Sequence, residues 1–417
     1  MKTPLIFVGT LVFLHLVAQM FGNVLLLKIK RMMFAQKITR TAPAAFFLLA
    51  CGFFKFSAVA QVGQPDTSVV LEAEEDYSMY ENVSFSAEGA KRFCSPKIEG
   101  LSPAKLISFG YDYQFGYQMS ADTLRSIQMP ANYNLNPQTG EVLRSHGMRL
   151  GFNIPVISQT NLVWQLGANY WEQRYDFKDP QNLQNPLLKT LSEHGLRTMG
   201  INTTVFKPFN DKYFMLFQGS ADYSGNYSLK SMMPLNYLKY SAALIFGKRP
   251  TELKQWGVGV ARTYRVGEIN YIPVVLFNST DQANKWGTEI LFPARAHVRR
   301  TINSRNMLFA GYELEGQSYR LWNTASVDGY DMQADELEVR RGEIRLRLIY
   351  EFALKDFIWM SVQAGYRINY RFDVDRLIGG EENYRAFGLI EDTPPYVMLN
   401  RLTNPLYVNI SINLVSP

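Results

Sequence analysis

The sequence predicts an all-β fold: a transmembrane, antiparallel, up-and-down β-barrel of about fourteen strands. Three observations carry this. One stretch alternates apolar and polar residues for far longer than a globular strand does. The same two-residue period returns down the chain. The connections between these stretches alternate between short and long.

The longest alternation is Leu106–Ser120, LISFGYDYQFGYQMS. Ile107, Phe109, Tyr111, Tyr113, Phe115, Tyr117 and Met119 are large and apolar or aromatic, and the residues between them are small or polar. Successive strand side chains point to opposite faces, so the segment has one greasy and one wet face. Globular strands run roughly 5–6 residues, whereas a bilayer-crossing strand needs about 9–11 and shows this dyad pattern. Aromatics make up 14% of the 417 residues, with Tyr and Phe far ahead of Trp, as strands and membrane-interface girdles require.

Later strands repeat the pattern: Met148–Ile154, Leu162–Tyr170, Met199–Val205, Tyr213–Phe217, Tyr240–Phe246 and Trp256–Tyr264, followed by the short run Ile272-Val274-Leu276. Leu308–Leu314, Ile344–Tyr350, Ile358–Tyr370 and Leu406–Leu414 close the chain. Arg262 falls on an apolar face, where a mid-membrane position would cost about 2–4 kcal/mol, so it belongs near a rim or the register slips there. Long connections at residues 121–144, 178–195, 224–236, 323–336 and 373–402 alternate with short turns. In bacterial barrels the short turns face the periplasm. The alternation holds throughout only if residues 284–300 form two strands broken at Phe292-Pro293, where proline removes a ladder donor. The split gives fourteen strands. Without it the count is an odd thirteen, and twelve is the fallback. A soluble sandwich or lipocalin-like barrel would point the greasy face inward, and strand length and loop asymmetry argue against it.

Residues 1–60 resemble targeting sequence. An apolar stretch, Pro4–Leu27, precedes Lys28, Lys30 and Arg31; a second export-like unit then runs from Met32 to Ala60, ending in a small-residue cleavage pattern before Gln61. The expectation is a signal peptide over 32–60, with 1–31 an extension of the true start. Cys51 lies in a weaker lipoprotein-like box. Residues 61–104 form a periplasmic lead or small plug, and 105–417 the barrel.

The segments LFPARA (291–296) and GYELEGQSYRL (311–321) resemble an uncharacterised family of predicted outer-membrane barrels from Bacteroidota. The resemblance spans roughly residues 105–414. It implies fold and outer-membrane location, and brings no substrate, catalytic residue or partner. The chain departs from the usual barrel end, running past Leu414 to Val-Ser-Pro without a terminal aromatic.

The net charge of +6 is scattered, with no basic run interleaved with aromatics, so no nucleic-acid partner is expected. Cys51 and Cys94 leave no internal disulfide after residue 60. No metal, phosphate-loop or dinucleotide fingerprint occurs, and no cofactor is expected. Ser145 and His146 are strand neighbours on opposite faces; His194 beside Glu193 reads as a solvated loop residue. No catalytic role is therefore expected. The charged wet face of the late strands holds Glu313, Glu315, Arg345, Arg347, Arg367 and Arg371, with Arg295 and His297 on the preceding strand. The bland reading is a salt-bridge ladder filling the interior. The functional one is an opposed-charge constriction that selects solutes. The expected function is a passive pore or substrate channel, then a structural or surface-display barrel with partner-binding loops, then an enzyme. The expected surroundings are the outer membrane, its lipids and the barrel-assembly machinery.

Overall fold

The computed structural model describes residues 94–123, 137–228, 230–264, 269–324, 336–376, 384–386, 390–391 and 396–415. The presequence, Cys51 and most of the 61–104 lead lie outside the described residues. The described residues belong to one compact unit, Ser86–Pro417.

Fourteen staves close a barrel. β1 is Lys105–Gln114, continued by Tyr117–Ala121. Then come β2 (Gln138–Gln159), β3 (Leu162–Phe177), β4 (Leu196–Pro208), β5 (Tyr213–Gly225), β6 (Lys239–Thr251) and β7 (Lys254–Thr263). β8 (Ile269–Thr280), β9 (Trp286–Phe292), β10 (Arg295–Asn303), β11 (Asn306–Arg320), β12 (Leu337–Lys355), β13 (Ile358–Arg376) and β14 (Leu406–Val415) complete it. Each pairs antiparallel with the next, and β1 closes on β14, with Phe109 opposite Ile412 and Tyr113 opposite Val408. The break at Phe292-Pro293 is real: β9 ends at Phe292 and β10 starts at Arg295.

The outer surface decides the environment. Ile201 is 66% exposed, Ile154 59%, Leu348 57% and Val258 54%, all on outward-facing strand positions. A soluble protein does not leave such a continuous belt in water. Every backbone group of a closed barrel is paired between strands, which is what a hydrocarbon setting demands. This is a transmembrane barrel of the outer-membrane type. Arg262 sits at the upper end of β7, where its Nη2 reaches the Tyr264 hydroxyl at 3.1 Å and its guanidinium lies 5.1 Å from that ring. The rim position keeps its charge at the interface. Val258→Arg, four residues down the same face, is expected to cost about 2–4 kcal/mol. Equilibrium denaturation in micelles would measure this.

Some faces differ from the expected alternation. Tyr117 and Met119 are buried at 6% and 0%, inside the barrel's outer end rather than on the lipid face. β1 is interrupted at Phe115-Gly116, and its neighbour β2 slips register between Val142 and Arg144 against β3. Such slips flip every side chain beyond them. A Cβ on Gly116 would lie 3.2 Å from the Leu143 carbonyl oxygen, which fits the close approach at this crease. Ile272, Val274 and Leu276 face inward, while Tyr271, Pro273, Val275 and Phe277 of β8 face out. Both faces of that strand are apolar, so its period held no sign.

The outer end is filled on one side. The connection after β3 forms α1 (Pro186–His194), started by Pro186 and by the Asn185 side chain, which accepts from the Leu187 N–H at 3.1 Å. Leu187, Leu188 and Leu191 are fully buried against Tyr117, Met119, Val142, Tyr319 and Val339. At the other end, residues 94–104 run into the barrel mouth. The Cys94 N–H donates to Asn210 O at 2.9 Å and the Glu99 N–H to Glu252 O at 2.8 Å, tying this strap to two of the short turns. Cys94 packs among the inward-facing Phe206, Phe214, Ile245, Val274 and Leu276. Burial pushes its thiol above the ordinary cysteine range.

Candidate functional site

Inward positions on β11 to β14 and on β1 and β2 carry a charge cluster at mid-barrel. Glu343 on β12 is its hub. It accepts from Arg341 Nη2 at 2.6 Å and Arg345 Nε at 2.6 Å, and its Oε1 lies 2.7 Å from Arg367 Nη2 on β13. Arg345 also meets Glu315 of β11 at 2.8 Å. Arg149 of β2 reaches Glu315 and Asp112, each at 2.6 Å, so the cluster crosses the sector from β11 to β2. Asn409 donates to Asp112 at 2.8 Å, and Arg341 donates to Gln173 on β3. Arg345 and Arg367 lie 5.4 and 5.6 Å from the Tyr407 ring. Glu343, Arg345 and Arg367 are at most 2% exposed. This is a dry brace.

A second group faces open space. Arg347 is paired with Glu313 and donates from Nε to His297 Nε2 at 3.1 Å. Two cavities lie beside the brace. One of about 410 Å³ is lined by Asn202, Thr204, Gln218, Ser241, Val274 and Pro293, among others. The other, of about 570 Å³, lies toward the strap and is lined by Lys97, Ser102, Lys105, His297, Arg347 and Glu351, among others. Asn153, Gln218, Leu291 and Arg295 line both.

The structure thus divides the seven lumen charges expected from sequence. Glu315, Arg345 and Arg367 belong to the brace; Glu313, Arg347 and Arg295 border the cavities. Arg371 belongs to neither. The ladder between β12 and β13 slips by one residue between Gly342 and Glu343, so Arg371 pairs with Gly342. That puts it on the face opposite Arg367, and strict alternation through the bulge would have missed this. Acidic and basic residues meet diagonally: Glu313 stands directly across from Arg345 but is paired with Arg347. Sequence reasoning passed over Asp112, Arg149, Arg341 and Glu343. Asp112 and Arg149 were visible on the wet faces of β1 and β2, and Glu343 and Arg341 continue the two-residue spacing of Arg345 and Arg347. Ser145 and His146 do face opposite ways: Ser145 is fully buried, and His146 Nδ1 meets the Tyr111 hydroxyl at 2.9 Å. His194 ends α1 with its Nε2 3.9 Å from Glu193. Among the described residues no group of His, Cys, Asp and Glu has metal-holding geometry.

With fold and lumen in place, the class is a fourteen-stranded transmembrane barrel with a buried charge cluster and two cavities inside it. A family profile described as "Domain of unknown function (DUF6268)" matches residues 132–376, and the chain belongs to that family. No curated protein matches the chain. Among solved structures, it resembles the NanC porin at 9% identity, covering 73% of this chain and 100% of that one, with a TM-score of 0.28. The Pseudomonas putida toluene transporter TodX matches at 8%, covering 75% and 90%, TM-score 0.28. A Pseudomonas aeruginosa FadL homologue matches at 9%, covering 76% and 91%, TM-score 0.32. Likeness this loose carries no argument about activity; the strand register defines the barrel on its own.

Proposed function

We propose that this chain is a passive diffusion channel for small polar solutes in the outer membrane, reached by export through the periplasm. The observation that carries the reading is the pair of adjacent cavities that share Asn153, Gln218, Leu291 and Arg295 in their walls. An eight-strand barrel is filled by its side chains, and one of roughly 16–18 strands holds an aqueous channel. Here fourteen strands enclose both conditions side by side. The brace and α1 fill the sector around β12, and Asn, Thr, Ser and Gln side chains line the space along β4 to β7. The reading assigns the chain no catalytic role.

Reconstitution into planar bilayers tests it. Discrete ohmic conductance steps are expected from the purified protein. Gln218→Trp, which places an indole in both cavities, should sharply reduce step size while leaving the folded barrel intact on unboiled gels. A wild-type barrel that inserts and never conducts would remove the channel reading. It would leave a structural or surface-display barrel whose outer loops bind a partner.

A further inference from the structure

The junction of the two cavities has an uneven charge balance. Arg295 opens β10 just past the Pro293-Ala294 turn, with its backbone between Leu291 and Glu313. It is exposed and borders both cavities, and its side chain makes no hydrogen bond or ion pair with any described residue. The nearby carboxylates are already engaged. Glu313 is held by Arg347 and Glu351 by Lys105 at 2.6 Å, while Glu289 Oε1 lies 3.4 Å from Arg299 without a hydrogen bond. His297, which lines the lower cavity, accepts from Arg347 at Nε2, so the neutral ring carries its proton on Nδ1 and brings no negative charge. Lys97 lines the same cavity, donating to Ser102 O at 3.0 Å, with no carboxylate in salt-bridge contact among the described residues.

We infer that the cavity junction is an anion-selective waist whose binding group is Arg295, and that the solutes it favours are small oxyanions. This rests on the channel reading above. A guanidinium with no counter-charge among the described residues, bordering both cavities, attracts anions and repels cations, as charged rings do in channels. Its planar fork offers two parallel N–H donors to a carboxylate or phosphate, which a point charge does not. Arg295 is free to make this contact. The brace arginines are committed to Glu343, Glu315 and Asp112 and lie out of a solute's path.

Reversal potentials across a KCl gradient in planar bilayers test the proposal. The wild type is expected to prefer chloride, Arg295→Gln to lose most of that preference, and Arg295→Glu to reverse its sign. Arg295→Lys should keep chloride preference but weaken current block by sodium acetate or sodium phosphate, because the bidentate fork is gone. Comparing these two blockers shows whether the waist favours carboxylates or phosphates. Arg300→Gln, which removes an outward guanidinium stacked 5.2 Å from the Trp286 ring, should leave selectivity unchanged. A conducting wild type with no anion preference, or an Arg295→Glu channel as anion-selective as the wild type, overturns the waist and leaves the channel standing. Absence of any conductance removes both. If Arg295→Glu fails to fold, Arg295→Gln and Arg295→Lys decide the question.

Discussion

Glu343→Gln is expected to destabilise the folded barrel by about 3–5 kcal/mol, the usual cost of removing one partner from a buried ion cluster. Glu343 is fully buried and contacts Arg341, Arg345 and Arg367. The brace then holds Arg149, Arg341, Arg345 and Arg367 against Asp112 and Glu315 alone, and of these Arg341, Arg345, Arg367 and Asp112 are buried, while Arg149 and Glu315 at its edge are partly exposed. Removing a charge from such a site leaves the others desolvated and unbalanced, which costs more than the pair itself contributes. Glu313→Gln is the contrast. Glu313 pairs with Arg347 at the cavity edge, where the two side chains are 29% and 10% exposed, and Arg347 keeps its contact with His297 when the carboxylate is gone. The expected loss there is about 0–1 kcal/mol. Denaturant unfolding of both variants in the same micelles separates them. Glu343 borders neither cavity, so single-channel conductance of whatever Glu343→Gln protein does fold should match the wild type. Equal losses for the two variants would mean that the cluster is hydrated and that brace and cavity wall are one feature.

The same contrast explains what was legible in the sequence. A two-residue period is enough to place a strand on a barrel wall, and proline's missing donor was enough to cut β9 from β10 at Phe292-Pro293. Alternating turn lengths then set the strand count. What the period cannot show is a slipped rung. The interruption at Phe115-Gly116 and the slip at Gly342/Glu343 each shift the face by one residue, and so moved Tyr117, Met119 and Arg371 off their expected sides. β8 hid its orientation for a different reason, since Val274 and Val275 are equally apolar and only the packing of Leu276 against Cys94 and Phe214 gives the inner face. The brace was partly legible. Charges spaced by two residues on adjacent strands announced a ladder, but not which carboxylate each arginine takes. That choice depends on side-chain reach across the lumen, as when Arg149 on β2 meets Glu315 on β11. The freedom of Arg295 follows from those choices and is visible only once every neighbouring carboxylate has been assigned.

Releasing the strap at residues 94–104 should enlarge the channel, and Cys94 provides a readout that does not depend on current. In the folded protein this thiol is 5% exposed among Phe206, Phe214 and Ile245, and burial raises its pKa, so both access and thiolate fraction are low. It should resist maleimide labelling until the barrel is unfolded. Ile98, four residues on, is 3% exposed. Ile98→Asp would bury an unpaired carboxylate, which costs far more than the strap gains from its few hydrogen bonds to Asn210, Glu252 and Thr280. The strap is therefore expected to leave the mouth while the fourteen strands remain closed, since none of their ladders depends on it. Cys94 becomes reactive, and single-channel conductance rises severalfold because Lys97, Leu101, Ser102 and Pro103 no longer wall the lower cavity. Arg295, on β10 rather than on the strap, should still impose its anion preference on the wider pore, though more weakly. Rapid Cys94 labelling with unchanged conductance would show that the strap decorates the mouth without narrowing it.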